Sequence, residues 1–450
     1  MTPPLESSPR FRLLVLCLLY LAQGLPFGFV TGTLAGYLAD KGYGLKEVAE
    51  ITFVAQFPWT FKFIWGPIID RFSFPQLRMG RRRLWILFAQ SMMVTTLFFM
   101  LFLPDLSTGM TTLIWLVALH NVFASLQDVS VDAMAVDLLP ENERGKANGF
   151  MRAANYFGTF IGGTVMGIIT HRHGLDAALL LQVVIMIGIM FAPLLLRERK
   201  HDRLLPRLGR TNTTPEEVPP PPDNSTIQLF KNLRRAFSLR STILGAVLAV
   251  VILGATTCLS SVRKVLVLQD LGWTLEEYSK WVLGSEYLFA LAGSITGGFL
   301  ADRFSAKKVA GIAAVVLGTV WIAFSQSHDF WPNREFIVGF VFFEQFSIGV
   351  MTVSLFAIFM GLSWPAIAGT QFTAYMALLN VSLTSGTKIA STLGDSLSFP
   401  LVYLVAGIAQ IAFIGILVWI DPQETRRKLG DISSKQADCD AGFDSDGNRS

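Results

Sequence analysis

The chain has 450 residues, of which 52% are hydrophobic and only 16% charged, and its mean hydropathy is +0.49. This composition excludes an ordinary soluble globular domain and indicates an integral membrane protein. The formal net charge is only +4, and the three cysteines are scattered, so neither a nucleic-acid-binding face nor a disulfide framework is predicted.

Apolar windows long enough to cross a bilayer, which takes about 20 residues as a helix, predict twelve spans in two sets of six. The first set lies near 13–39, 48–69, 84–103, 111–139, 148–170 and 177–196. The second set lies near 241–268, 279–301, 308–326, 335–361, 368–393 and 399–420. The predicted fold class is therefore all-α, and the first window is interpreted as a retained span, not a cleaved leader.

The two sets share a repeated sequence. Residues 38–48 align with residues 268–278 without a gap, and Ile-Asp-Arg-Phe at 69–72 returns as Ala-Asp-Arg-Phe at 301–304. Because the order and spacing agree, the chain is predicted to be built twice. In many secondary transporters, two such parallel halves enclose a central site.

The repeat divides the chain into two bundles and two polar segments. The bundles are expected over 1–197 and 241–421, separated by a linker at 198–240 that contains four consecutive prolines and is basic at both ends. Residues 422–450 are predicted to be a disordered tail. Polar, proline-rich sequence buries too little apolar surface to fold by itself.

The distribution of basic residues predicts the orientation. Lys and Arg are concentrated in the loops that follow the second and fourth spans of the first half and the second span of the other half, and near both chain ends. Positively charged loops remain on the cytoplasmic side. The sequence therefore predicts a multi-pass protein of the plasma (inner) membrane with both termini and the linker in the cytoplasm.

Two short loops carry a paired motif. Gly-Pro-Ile-Ile-Asp-Arg at 66–71, followed by Gly-Arg-Arg-Arg at 80–83, is echoed by Gly-Gly-Phe-Leu-Ala-Asp-Arg at 297–303. This motif resembles the loop motif of the major facilitator superfamily, which implies that its Asp caps a helix end, pairs with Arg and closes the cytoplasmic side. The expected gate residues are Asp70, Arg71, Arg81, Asp137, Arg144, Asp302 and Arg303. The alternative is that the arginines only set the topology.

Three carboxylates at membrane depth are candidates for proton coupling: Asp128, Asp132 and Glu344. Asp128 and Asp132 are four residues apart and share one helix face. A carboxylate in a membrane is unfavourable unless it is protonated, paired or hydrated, so it is a functional candidate by default. The alternative is structural pairing with Lys62 or Arg152.

Amides and cations within the spans are candidates for substrate binding: Gln23, Lys62, Gln127, Arg152, Arg263, Gln371 and Lys388. Amides suit sugar or peptide groups, and Arg and Lys suit carboxylate or phosphate. Two alternatives remain open. The amides can join neighbouring helices, and Arg263, Glu286 and Lys388 can pair with one another.

Three stretches resemble one branch of the superfamily. They are Lys-Phe-Ile-Trp-Gly-Pro at 62–67, Gln-Asp-Val-Ser-Val-Asp at 127–132 and Glu-Arg-Gly-Lys-Ala-Asn-Gly at 143–149. They are similar to the peptide/acetyl-coenzyme A transporter group, which includes AmpG-type muropeptide permeases. The resemblance covers most of 11–197 and implies proton-coupled import of an anionic solute such as a muropeptide. Other cargo (a coenzyme A ester, a peptide, a sugar or an exported drug) and a non-transporting sensor remain alternatives.

Other functional classes are poorly supported by the sequence. No Gly-rich phosphate loop of a primary pump occurs, and a membrane acyltransferase would need a water-accessible His or Cys. We therefore predict a protein that is not an enzyme and binds no metal or cofactor. Its expected partners are a small-molecule substrate, protons and the lipid bilayer, and it is expected to be a monomer.

Overall fold

A computed structural model describes residues 4–71, 79–103, 106–139, 141–199, 202, 204, 225–364, 367–394 and 398–430. The regular elements of these residues are helices, and they form twelve spans, so the predicted fold class is confirmed. Span 1 is Pro9–Asp40, span 2 comprises Leu45–Thr60 and Trp65–Arg71, span 3 is Arg81–Met100, span 4 is Leu106–Leu138, span 5 comprises Glu141–Phe160, Ile161–Val165 and Met166–His173, and span 6 is Leu175–Leu195. Span 7 is Arg240–Asp270, span 8 comprises Leu275–Glu277, Tyr278–Leu283 and Gly284–Phe304, span 9 is Ala306–Gln326, span 10 is Arg334–Leu362, span 11 is Ala368–Leu393, and span 12 comprises Phe399–Ala412 and Ile414–Val418.

The same packing pattern occurs in both halves. Span 1 packs on span 5, span 2 on span 4, and span 3 on spans 4 and 6. In the other half, span 7 packs on span 11, span 8 on span 10, and span 9 on spans 10 and 12. The internal repeat in the sequence therefore corresponds to a repeat in the packing.

Spans 2, 5, 8 and 11 differ from the other eight. In the described residues, eight spans are long and apolar enough to cross a membrane by length and composition, and these four fall outside that set. They are also the spans that pair across the two halves, span 2 with span 11 and span 5 with span 8. A helix that faces protein on several sides needs less apolar surface, so their lower hydropathy follows from their position.

Glycine is required at two kinds of position. Gly42 and Gly272, which the sequence repeat aligns, both adopt positive φ (84° and 66°) where the first span of each half turns back. Gly28 and Gly162 allow spans 1 and 5 to approach closely. A Cβ on Gly28 would lie 2.2 Å from the Thr159 carbonyl oxygen, and a Cβ on Gly162 would lie 2.0 Å from the Leu25 carbonyl oxygen.

Three spans contain a π-helical segment at the place where they meet. Phe29–Leu34 in span 1, Ile161–Val165 in span 5 and Tyr278–Leu283 in span 8 contact one another. The Thr33 hydroxyl donates to the carbonyl oxygens of Gly162 (2.7 Å) and Gly163 (2.9 Å). The single hydroxyl proton is thus shared between two backbone carbonyls of the π-helical turn in span 5.

With an even number of spans, the start of span 1 and the end of span 12 lie on one side of the membrane, here called the terminal face. On the opposite face the halves are joined by polar contacts. Gln269 Nε2 donates to the carbonyl oxygens of Ala39 (2.9 Å) and Tyr43 (2.7 Å), and Arg172 Nε donates to Glu276 Oε2 at 3.0 Å. The structure therefore holds the halves together at the opposite face.

Two short helices lie within the polar segments, whose predicted boundaries stay a prediction. Ser225–Ala236, within the expected linker, forms a helix, and Glu424–Leu429, within the expected disordered tail, forms another. Glu424 is buried and accepts hydrogen bonds from the Lys428 ammonium (2.6 Å) and the Ser241 N–H (2.8 Å), which lower the pKa of its carboxyl to about 2. The bond to Ser241 attaches the 424–429 helix to the start of span 7, so ordered structure continues past residue 421. Residues 431–450 lie outside the described residues.

Candidate functional site: a polar cavity and two charge clusters

A cavity of about 350 Å³ lies between the halves and is lined by spans 1, 2, 5, 7, 8, 10 and 11. Its polar lining is mostly hydroxyl: Thr31, Thr52, Tyr156, Thr159, Thr256, Thr257, Ser260 and Tyr287. The amides Gln56 and Gln345 and the charged groups Lys264 and Glu286 complete it. This lining offers many hydrogen bonds and one charge of each sign, which suits a polar solute.

Span 7 supplies the largest polar share of the cavity. Thr256, Thr257, Ser260 and Lys264 lie on one face because they are spaced at about one and two helical turns. The span is interrupted at Ile252 and Leu253, just before this face, and Ser382 of span 11 accepts the freed N–H of Leu253 at 3.1 Å. Discontinuous helices at mid-membrane are typical of transporter binding sites.

The second half contains a sealed charge cluster, formed by Arg263, Glu286 and Glu344. Arg263 Nη2 lies 3.2 Å from Glu286 Oε2, and Arg263 Nη1 donates to Glu344 Oε2. Trp321 Nε1 donates to the other Glu344 oxygen at 2.8 Å. The side chains of Arg263 and Glu344 are 2% and 1% exposed, whereas Glu286 reaches the cavity. Both carboxylates are thus held by one guanidinium.

The first half contains a more open charge cluster. Lys62 Nζ lies 2.9 Å from Asp128 Oδ2, and these side chains are 30% and 10% exposed. The Tyr20 hydroxyl donates to Asp132 Oδ1, one helical turn along span 4. The two carboxylates that the sequence placed on one face therefore have different partners, a cation and a phenol. Glu344 lies in the other half, within the sealed cluster.

The substrate-binding candidates are dispersed. Gln23 and Gln127 are buried, and within the described residues Gln23 Nε2 and both amide atoms of Gln127 lack a hydrogen-bond partner. Gln371 instead binds the backbone of the bend between spans 10 and 11, where it accepts from Trp364 N–H at 2.8 Å. Arg152 is exposed on span 5, one turn before Tyr156. Lys388 lies apart from Arg263 and Glu286, with its Nζ 5.2 Å from the ring centre of Phe53.

The gate residues are only partly described. Asp70, Arg71, Arg81, Arg144 and Asp302 lie in helices whose backbone is described, but their side chains lie outside the described part of the structure. Asp137 accepts a hydrogen bond from Arg82 Nε at 2.9 Å, joining spans 3 and 4 at the terminal face. Arg303 stacks on Phe304, with 5.4 Å from its Cζ to the ring centre. The predicted gate function of these residues stays a prediction.

None of the seven residues that the sequence predicted to bind the substrate lines the cavity. Tyr156, Tyr287 and Gln345 come from three spans and share no local pattern. A signal did exist on span 7, because a run of hydroxyls at helical spacing that ends in Lys264 is unusual in an apolar segment. The i, i+4 pair Thr52 and Gln56 on span 2 was a second such signal.

Two helical bundles around a polar cavity, closed at one face, are the architecture of a membrane transport protein. The family profile of the Major Facilitator Superfamily matches residues 13–275 and 244–438, and the chain belongs to that family. The resemblance inferred from the loop motifs is thereby confirmed.

Two similar proteins indicate which branch of the superfamily the chain resembles. The chain is 25% identical over 416 residues to the anhydromuropeptide permease of Escherichia coli (strain K12), an alignment that covers 90% of this chain and 79% of the permease. It is 27% identical over 158 residues to the putative transporter AmpG 4 of Rickettsia conorii, which covers 35% of this chain and 37% of that protein. The similarity to AmpG-type proteins thus extends over most of this chain.

Solved structures support the fold. The D-xylose–proton symporter superimposes with a TM-score of 0.66 over 93% of this chain and 99% of its own, at 13% identity. The nucleoside transporter NupG (D323A mutant) gives a TM-score of 0.61 over 91% of this chain and 99% of its own, also at 13% identity. At this identity the likeness concerns the arrangement of the spans alone.

Proposed function

We propose that the chain is a secondary active transporter that imports an anionic solute of the muropeptide class together with protons, by alternating access. The single observation that carries this proposal is the polar cavity between the two bundles, which contains a cation, Lys264, to which no carboxylate of the described residues is bound. The similarity to an anhydromuropeptide permease over most of the chain supports the choice of cargo.

The charge of the cavity favours an anion. Lys264 Nζ donates to Ser260 Oγ at 3.0 Å and to the Ser260 carbonyl at 3.2 Å, both uncharged groups. The carboxylates of Glu286 and Glu344 are both bound to Arg263. Lys264 therefore remains available to a carboxylate or phosphate of the cargo, and the surrounding hydroxyls and amides suit its sugar and peptide groups.

The open charge cluster suits proton coupling. Protonation of Asp128 would remove the negative charge that holds Lys62, so the ion pair between spans 2 and 4 would separate. Span 2 also packs on span 11 of the other half, so a change at Lys62 acts at the boundary between the bundles. An alternating protonation state at this pair would thus bias the position of one bundle against the other.

The basic loops favour a cytoplasmic terminal face in the plasma (inner) membrane. In that orientation the contacts of Gln269 and Arg172 close the external side. A gate built from the Asp70 and Asp302 loops would close the cytoplasmic side in the other conformation. The transporter acts without enzymatic chemistry, and a single chain contains both halves of the site.

The test is uptake of radiolabelled anhydromuropeptide into proteoliposomes, with and without an inside-alkaline pH gradient. Wild type is expected to accumulate the solute only with the gradient. Asp128→Asn should abolish accumulation yet retain counterflow exchange, which needs no net proton movement. Asp176→Asn, an exposed carboxylate at the start of span 6, is the matched control and should accumulate normally. Lys264→Gln should raise the KM at least tenfold, and Lys264→Arg should raise it less.

The outcomes separate the parts of the proposal. Accumulation by Asp128→Asn would show that another group couples transport, with Glu344 the next candidate. Loss of both accumulation and exchange would make Asp128 a ligand or a structural residue. If the wild type carries no muropeptide, a screen of coenzyme A esters, peptides and sugars under the same gradient identifies the cargo.

A further inference from the structure

A second concave surface lies outside the central cavity, on the seam between spans 2 and 11. It is a groove of about 580 Å³ to which both halves contribute. Span 2 lines it with Phe53, Phe57 and Phe61, and span 11 lines it with Val381, Ile389 and Leu393. The groove is almost entirely apolar, apart from a few hydroxyls and one ammonium, that of Lys388.

The groove and the central cavity lie on different faces of the same two helices. On span 2, Gln56 lines the cavity and Phe57 the groove, and on span 11, Leu383 lines the cavity and Thr384 the groove. The hydroxyls of Thr60 and Thr384, 3.3 Å apart, join the two helices along the groove. Phe57 and Ile389 are about half exposed, which for this surface means exposure to lipid.

Lys388 places a positive charge at the end of the groove that lies nearest the lipid headgroups. It lies five residues before the end of span 11 at Leu393, so its Cα is about 8 Å from that end at 1.5 Å per residue. In the described part of the chain its ammonium contacts the face of the Phe53 ring, and no carboxylate pairs with it. A lysine at this depth extends its ammonium towards the lipid headgroups of the nearer leaflet.

We propose that this groove binds one anionic phospholipid, with its phosphate at Lys388 and an acyl chain along Phe53, Phe57 and Phe61. These rings are one turn apart and extend over about 12 Å of span 2, away from Lys388 towards mid-membrane. The charge complementarity is direct, because a lysine within side-chain reach of the headgroups adjoins an apolar channel long enough for part of an acyl chain. Since the groove is built from both halves, the bound lipid ties them together.

Lys280 provides a matched control. It lies five residues after Leu275, where span 8 begins, so its depth from the opposite face equals that of Lys388. It is also exposed and stacks on an aromatic ring, with its Nζ 4.7 Å from the ring centre of Trp281. Lys280 does not line the groove, so it tests whether any lysine at this depth gives the same effect.

The experiment is native mass spectrometry of the delipidated protein, titrated with phosphatidylglycerol or phosphatidylcholine of identical acyl chains. Wild type is expected to bind one phosphatidylglycerol at least fivefold more tightly than phosphatidylcholine. Lys388→Gln should abolish this preference, whereas Lys388→Arg and Lys280→Gln should retain it. Ser385→Trp, which fills the groove but keeps the ammonium, should weaken binding of both lipids at least fivefold. Phosphatidylglycerol should also raise the melting temperature of wild type more than that of Lys388→Gln.

Three results would overturn the proposal: an unchanged preference in Lys388→Gln, an equal loss in Lys280→Gln, or unchanged lipid binding in Ser385→Trp. If Ser385→Trp blocks uptake while lipid binding is unchanged, the groove is a lateral path for an apolar cargo. The proposal concerns a lipid site and does not depend on the proton coupling or on the cargo of the central cavity.

Discussion

The two halves share a packing pattern but hold their membrane charges in different ways. In the second half, Arg263 is sealed between Glu286 and Glu344, and Trp321 fixes the far oxygen of Glu344. In the first half, Lys62 and Asp128 form a single pair whose lysine is 30% exposed. A buried cluster with several fixed partners resists change, whereas a single, partly exposed pair separates at a lower free-energy cost.

This difference assigns separate tasks to the halves. The sealed cluster keeps spans 7, 8 and 10 in one arrangement and presents Glu286 to the cavity in a fixed position. In the proposed mechanism, the open pair, next to the span 2–span 11 seam, is the one that responds to a proton. The two halves repeat the same packing of spans, but the charged residues within them differ.

The largest expected effect is on the sealed cluster. Arg263→Met leaves the buried Glu344 carboxylate without its cation, so the free energy of unfolding should fall by about 3–5 kcal/mol. Thermal and SDS unfolding of the detergent-purified protein measure this. The double variant Arg263→Met with Glu344→Gln removes the stranded charge and should recover more than half of the loss. A single variant as stable as wild type would show that the cluster is not sealed.

A smaller effect is expected at the open pair. Lys62→Met leaves an Asp128 side chain that is 10% exposed and so only partly reaches water, and the unfolding free energy should fall by about 1–2 kcal/mol. Lys62→Arg, which can still pair with Asp128, is the control and should match wild type in the same unfolding assays. A loss as large as that of Arg263→Met would mean that the two clusters are equivalent, and the comparison would fail.

The smallest effect concerns the loop between the second and third spans of each half. The third span begins after Gly80 (φ 89°) in one half and after Ser305 (φ 98°) in the other, a conformation that suits glycine and strains serine. Ser305 is exposed and its side chain makes no capping hydrogen bond, so Ser305→Gly should raise the unfolding free energy by about 1 kcal/mol.

Ser327, at the other end of span 9, has φ −105° and is the matched control. Ser327→Gly should give no gain, because its backbone is not strained and glycine adds conformational entropy to the unfolded chain. Equal stabilisation by both substitutions would contradict the strain at Ser305.

Much of the fold could be predicted from the sequence because the bilayer imposes a length and an apolar composition on each span. The repeat also predicted the two halves, and its glycines Gly42 and Gly272 occupy the same turn. Structural pairing with Lys62 or Arg152 was the sequence-based alternative to a coupling role for Asp128 and Asp132, and the structure pairs Asp128 with Lys62. The order of the polar 424–429 segment could not be read from the sequence, because it is held by a hydrogen bond from the Ser241 N–H, far away in the chain, to Glu424.

The sequence by itself determined which segments cross the membrane, how they repeat and which charged residues lie within them. Only the tertiary structure decided which way each helix is turned about its axis. Arg263 and Glu344 are 81 residues apart and meet inside the second half, while Lys388, at a similar apparent depth, faces lipid. Hydropathy predicts the depth of a residue in the membrane, because the bilayer selects apolar segments of helix length as a whole. The neighbouring helices decide which way the side chain of that residue points, because packing between helices fixes the rotation of each helix about its axis.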